Sequence, residues 1–129
     1  MPHLKIFLIA GAFFGATGVL FGAFGAHALS GHLTPPSLHT WETAVSYQLS
    51  HAMALIVVGI WGARAETNVH PPTLMVVAGW SFLCGIVLFS GSLYALALNG
   101  PSVLGPVTPV GGGAFVFGWL ALIGAALRH

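Results

Sequence analysis

The chain alternates long apolar runs with short polar breaks. Four stretches, about residues 6–29, 41–63, 73–98 and 108–127, are almost continuously hydrophobic. Each reaches the ~20 residues that an α-helix needs to cross a bilayer. The breaks carry turn formers: Ser30-Gly31 with Pro35-Pro36, then Pro71-Pro72, then Asn99-Gly100-Pro101 through Pro109. The pattern predicts an all-α polytopic membrane protein, a single domain of four transmembrane helices in one bundle over residues 1–129. The breaks leave no room for a soluble domain.

The second run is the least uniform. Over residues 41–54 (WETAVSYQLSHAMA) it carries Glu42, Thr43, Ser46, Tyr47, Gln48, Ser50 and His51. At about 100° per residue all but Gln48 fall within roughly half the helix circumference, with Gln48 just beyond His51. Val45, Leu49, Ala52 and Ile56 take the other half. The polar side is expected to need hydrogen-bond partners inside the protein, while the apolar side meets lipid or an apolar neighbour. The first run has a pattern of its own: Gly11, Gly15, Gly18, Gly22 and Gly25, spaced four, three, four, three. A glycine seam of this period suits left-handed helix packing, because small residues let backbones approach. Packing within the bundle is the simpler reading; a glycine-lined conduit or a dimer face are the functional ones.

Composition sharpens the picture. Hydrophobic residues make up 57% of the chain and charged residues 4%, where soluble proteins carry about a quarter charged. Two acids and three bases could not wet a soluble fold of this length. The formal net charge of +1 leaves no basic patch for nucleic acid. On a four-span path Lys5, Arg64 and Arg128 all fall on one side, and the positive-inside rule makes the arrangement N-in and C-in. Lys5, the apolar run and Ala26-His27-Ala28 also resemble a signal peptide with an A-x-A site. The run exceeds the usual ~7–15-residue apolar region, so a retained helix is expected. The lone Cys84 excludes an intramolecular disulfide and reads as a small packing residue in the third helix.

Candidate chemistry is sparse. His27 near the end of the first helix, His32 and His39 beyond it, and Glu42 form an N/O-rich group of the kind zinc or copper uses. Their spacing matches no metal motif, so neither a metal site nor a cofactor is expected. Trp41 suits the interface, and Glu42 then lies in the first turn of the second helix, where its charge favours the dipole. Ser37, Thr40 and Glu42 are its capping candidates. His51 lies about ten residues further in, roughly 15 Å along the axis. A mid-membrane ionisable residue is a functional-site candidate; the plain alternative is a neutral imidazole bonded to another helix. A bis-histidine haem on His27 and His51 would need ligands at similar depth, which these are not.

The remaining polar groups admit two readings each. Ser90 and Ser92 flank Gly91 and offer partners to the second helix, or bonds to their own backbone with a bend. Thr108-Pro109 reads as an N-cap with proline at the first helical position. Gly111, Gly112 and Gly113 then expose N–H groups to an anion, or pack closely against the glycine-rich first helix, which explains them without a ligand. Arg64 and Glu66 could pair in the loop, at little gain in stability.

Four motifs taken together resemble a known family: Phe24-Gly25-Ala26-His27-Ala28-Leu29; residues 41–48 (WETAVSYQ) with His51-Ala52; Phe89-Ser90-Gly91-Ser92-Leu93-Tyr94; and Thr108-Pro109-Val110-Gly111-Gly112. The chain is similar over nearly its whole length to the domain of unknown function 423 family, small bacterial inner-membrane proteins related to transmembrane protein 256 of animals. The resemblance implies a four-helix protein of the bacterial inner membrane; the cytoplasmic termini are expected from the distribution of bases alone. It implies no activity and transfers no catalytic residue.

Two functional expectations follow. The leading one is a non-enzymatic accessory or assembly subunit of a membrane complex, in contact with the lipid bilayer and with other subunits or copies of itself. It rests on the tiny loops, the small-residue seams and the lack of a nucleophile–base pair. The alternative is a binding or transport protein with a polar intramembrane pocket lined by His27, Glu42, Tyr47, Gln48, His51, Ser90 and Ser92. Such a pocket suits a lipid, quinone or other amphipathic ligand, since only Glu42 offers a fixed charge. An enzyme would have to use His51 or Glu42 with no second catalytic group beside it.

Overall fold

A computed structural model describes residues 2–65 and 73–128 of the chain. Among these residues every regular element is helical: α1 (Pro2–Phe24) continues through a π-helical turn (Gly25–Leu29), and α2 runs Pro35–Ala65. The next span is α3 (Thr73–Gly85), a second π-helical turn (Ile86–Ser90) and α4 (Gly91–Ala97). A short 3-10 turn (Ser102–Leu104) leads into α5 (Val107–Arg128). Four spans are long and apolar enough to cross a membrane: Leu4–Leu29, Pro35–Arg64, Thr73–Ala97 and Ser102–Arg128. The shortest, at 25 residues, reaches about 37 Å at 1.5 Å per residue, more than the ~30 Å hydrocarbon core. The protein is an all-α membrane protein of four spans, as the sequence predicts. The possible Arg64–Glu66 pair and the Pro71-Pro72 turn lie outside the described residues.

The second span begins at Pro35, earlier than the expected start near Trp41. Thr34 caps it, its Oγ1 accepting from the Ser37 N–H at 3.3 Å. Pro35 and Pro36 do not break the helix, because the first helical positions have no intrahelical use for an N–H. At the same end of the bundle α4 closes with Asn99 at φ 63, and the Gly100 N–H donates to Ala95 O at 2.7 Å. That is a left-handed helix stop of the kind asparagine tolerates.

Close backbone approach organises the packing. A Cβ added at Gly11 would lie 2.7 Å from Ile56 Cγ1 and 2.8 Å from Ala52 O. One at Gly18 would lie 2.6 Å from Leu49, and one at Gly25 2.6 Å from Trp41. Gly59 returns the fit, with Leu8 2.7 Å from its missing Cβ. The first two spans therefore interlock as an antiparallel hairpin, with Gly22 against Val45 in the same seam and Gly15 open. The fourth span locks onto the third instead: Gly111 abuts Phe89, Gly118 abuts Phe82, and Phe115 fills the space over Gly85. This corrects the expectation that the Gly111–Gly113 end packs on the first span. Thr108 is likewise no cap, since α5 starts at Val107 and the Thr108 hydroxyl bonds Ser92.

The second span is central. Its buried stripe is Trp41, Ala44, Gln48, His51, Leu55 and Val58, with Gly62 also buried. These positions alternate steps of three and four, the spacing of a coiled-coil seam. The stripe does not coincide with the polar half of the helical wheel. Glu42, Ser46, Tyr47 and Ser50 are exposed. Ser50 needs no tertiary partner because its hydroxyl donates to Ser46 O at 2.9 Å, and Thr43 does the same to His39 O. Near the termini Phe7, Leu55, Val58, Met75 and Phe82 are fully buried in one apolar core. Cys84 is exposed rather than packed inside. The outer faces carry Ile9, Phe13, Met53, Val57, Val116 and Leu120, the surface a bilayer solvates.

Candidate functional site

Gln48 is 2% exposed, and its amide ties three spans together. Nε2 donates to Phe14 O at 2.9 Å and to Thr17 Oγ1 at 2.8 Å on the first span. Oε1 accepts the Tyr94 hydroxyl of the third span at 2.6 Å. The amide orientation follows from its neighbours: a flipped amide would set Oε1 against the Phe14 carbonyl, acceptor against acceptor. An unpaired amide in hydrocarbon would cost several kcal/mol, so this knot fixes the depth and rotation of all three helices.

His51 forms a second knot on the side facing α5. Its Nδ1 lies 2.8 Å from Tyr47 O, and its Nε2 lies 3.0 Å from Trp119 Nε1. An indole N–H is only a donor, so Nε2 must accept, and the proton must sit on Nδ1 and donate to the Tyr47 carbonyl. The imidazole is neutral in that tautomer and both nitrogens are engaged. Its face stacks on Phe115, centroids 3.7 Å apart and planes within 12°. Phe82 and Trp119 close the cluster at 5.5 and 5.7 Å from the imidazole. With no lone pair left over, His51 in this arrangement is a helix-bridging group and not a metal ligand.

The serines follow both sequence readings at once. Ser90, 1% exposed, donates to Ala44 O of the second span at 2.8 Å. Ser92 donates to Phe89 O in its own helix at 2.9 Å and lies 2.6 Å from Thr108 Oγ1. The π-helical turn at Ile86–Ser90 adds a residue per turn there, bringing Ser90 under the second span and Phe89 over Gly111. Trp41 donates to Phe21 O at 2.9 Å. Every buried side-chain nitrogen and oxygen among the described residues has a partner.

The seven sequence-predicted residues are thus dispersed. Gln48 faces the first and third spans, whereas His51 and Tyr47 stack toward α5. Ser90 and Ser92 are tied between helices, while His27 and Glu42 are exposed at the end away from the termini. No three His, Cys, Asp or Glu side chains gather among the described residues, so the His27, His32, His39 and Glu42 group does not assemble there. Thr17, Tyr94 and Trp119 complete the knots without having been site candidates in the sequence, and Thr108, read there as a cap, bonds Ser92 instead. Tyr94 ends one of the family-like motifs; Thr17 is signalled only as a hydroxyl on a glycine-rich helix.

Two clefts open sideways, toward where lipid would lie. One, about 250 Å³, runs between the first and third spans and is lined by Phe13, Phe14, Thr17, Phe21, Val87 and Tyr94, with Gln48 and Gly91 also on its wall. The other, about 310 Å³, lies between the second and fourth spans against Ser50, Met53, Val57, Trp119 and Leu122. Both are near or below the lower end of ligand pockets, ~300 Å³, and suit part of a chain-like molecule.

Residues 21–112 match the family model described as a protein of unknown function, DUF423. The UPF0382 membrane protein SERP0230 of Staphylococcus epidermidis is 43% identical over 125 residues, covering 97% of this chain and 98% of that protein. The UPF0382 membrane protein YwdK of Bacillus subtilis is 40% identical over 126 residues, 98% of this chain and 99% of its own. No solved structure matches the chain.

Proposed function

The chain belongs to the DUF423 family, and we propose that it serves as a non-enzymatic accessory or assembly subunit of a larger membrane complex. The observation that carries this reading is the outer face of the first span. That span packs chiefly on the second, which leaves Ala12, Ala16, Val19, Leu20 and Ala23 exposed. Small residues flanked by bulky ones are the contact surface that membrane helices use for one another. The saturated interior fits the same role, because the buried polar groups already join helices and none is poised for chemistry.

The test is native mass spectrometry of tagged protein drawn from its own membranes in mild detergent. Stoichiometric co-purifying subunits, or a second copy at a defined ratio, are expected. A lone monomer in every mild detergent overturns the reading.

The bundle sits in the bacterial inner membrane with both termini in the cytoplasm. The support is that Lys5, Arg64 and Arg128 share one end while the connection at the far end through residues 98–106 has no Lys or Arg. Fusions at Arg128 should be fluorescent with green fluorescent protein and inactive with alkaline phosphatase; the reverse pattern refutes the orientation. A second reading, a site for an amphipathic ligand, is favoured by the cleft between the first and third spans.

A further inference from the structure

We propose that the cleft between the first and third spans is a binding site for a membrane-soluble long-chain alcohol, its chain against Phe13, Phe21 and Val87 and its hydroxyl donating to the Thr17–Gln48–Tyr94 knot. The chain half of the argument is the cleft itself, about 250 Å³ of mainly aromatic and aliphatic wall opening where hydrocarbon surrounds the protein. Gly91 keeps it open, since nothing lies within 4 Å of where its Cβ would be.

The hydroxyl half comes from counting hydrogens. Gln48 Nε2 carries two, and they go to Phe14 O and Thr17 Oγ1. The Thr17 hydrogen goes to Phe13 O at 3.0 Å, and the Tyr94 hydrogen goes to Gln48 Oε1. Every donor on the knot is engaged. What remains is acceptor capacity only: one lone pair each on Gln48 Oε1 and Thr17 Oγ1, and the lone pairs of the Tyr94 oxygen. A ligand carbonyl, ether or phosphate would bring acceptors to acceptors. A hydroxyl brings the missing hydrogen. The site therefore selects the alcohol or quinol form of an isoprenoid or acyl lipid over its ketone, quinone or ester.

The test uses purified full-length protein in mild detergent, read by native mass spectrometry during stepwise addition of geranylgeraniol or of its methyl ether. The alcohol should form a one-to-one adduct and the ether should bind about fivefold more weakly, the worth of one hydrogen bond. Dioleoylglycerol against its methyl ether makes the same comparison for an acyl tail. A preference for the alcohol in either series supports the assignment and identifies the tail, and its absence in both overturns it. Gly91→Leu, whose side chain enters open space, should abolish the adduct with the thermal unfolding midpoint unchanged. Gly15→Leu, also in open space but off the cleft, should leave it intact. If Gly91→Leu does not accumulate, Val87→Phe on the same wall replaces it. Unaltered alcohol binding in the cleft variant overturns the site whatever the oligomeric state.

Discussion

Gln48 illustrates what a single polar residue does in a bilayer. Its three bonds to other spans have no competing water, but the unfolded helix also finds partners, so each is worth only about 0.6 kcal/mol. Gln48→Leu should therefore lower stability by about 2 kcal/mol, measured by steric trapping in bicelles. Gln48→Glu should also destabilise, because a carboxyl buried here must be neutral and its one hydrogen cannot serve both Phe14 O and Thr17 Oγ1. His51 makes a sharper prediction, since Tyr47 O and Trp119 together dictate its tautomer. Nitrogen-15 NMR of the labelled protein should find the proton on Nδ1 and Nε2 bare. Trp119→Phe should leave Nε2 bare and without its donor while the Tyr47 carbonyl, an acceptor only, keeps the proton on Nδ1; a protonated Nε2 in the unmodified protein would refute the assignment. Both residues were visible in the sequence as polar groups at depth. Their partners were not, because periodicity gives a residue's direction around its own helix and says nothing of what stands opposite.

At the level of elements, the long apolar runs made the four spans legible, and the four-three glycine spacing made the first seam legible too. The face of the second span was harder. The polar half of the wheel drew attention to Ser50, yet its short hydroxyl satisfies itself on the preceding turn. Following steps of three and four from Trp41 through Ala44, Gln48, His51 and Leu55 finds the buried stripe directly. The two π-helical turns left no sequence mark. The second has a testable consequence, because the Gly91 N–H reaches back five residues to Ile86 O. Deleting exposed Val87 should tighten that turn to an α-turn and preserve the faces of α3 and α4. Deleting Leu83 should rotate one against the other by about 100° and prevent folding. Expression level and circular dichroism distinguish the two. In the first seam, Gly11→Leu should disrupt the hairpin because its Cβ meets the Ala52 carbonyl; Gly15→Leu should be tolerated.

On the scale of the whole molecule, the second span is the axle: the first span leans on one side of it, and the third and fourth, locked together by Gly85, Gly111 and Gly118, on the other. The lateral clefts depend on how neighbouring spans sit against one another, so they could not be read from sequence. The same arrangement separates the surfaces by role. Residues that hold the fold face inward, toward the second span or between the third and fourth, so the first span's outer face is free of structural duty. Its exposed alanines set the last prediction. Ala16→Phe adds bulk where the surroundings are lipid, so the isolated protein should unfold at the same denaturant concentration as before. In its own membranes the same change should strip away stoichiometric partners, because a phenyl ring holds two helix backbones apart where alanine lets them touch. If Ala16→Phe destabilises the isolated chain, that face is part of the fold; if the partners remain, they bind elsewhere on the bundle.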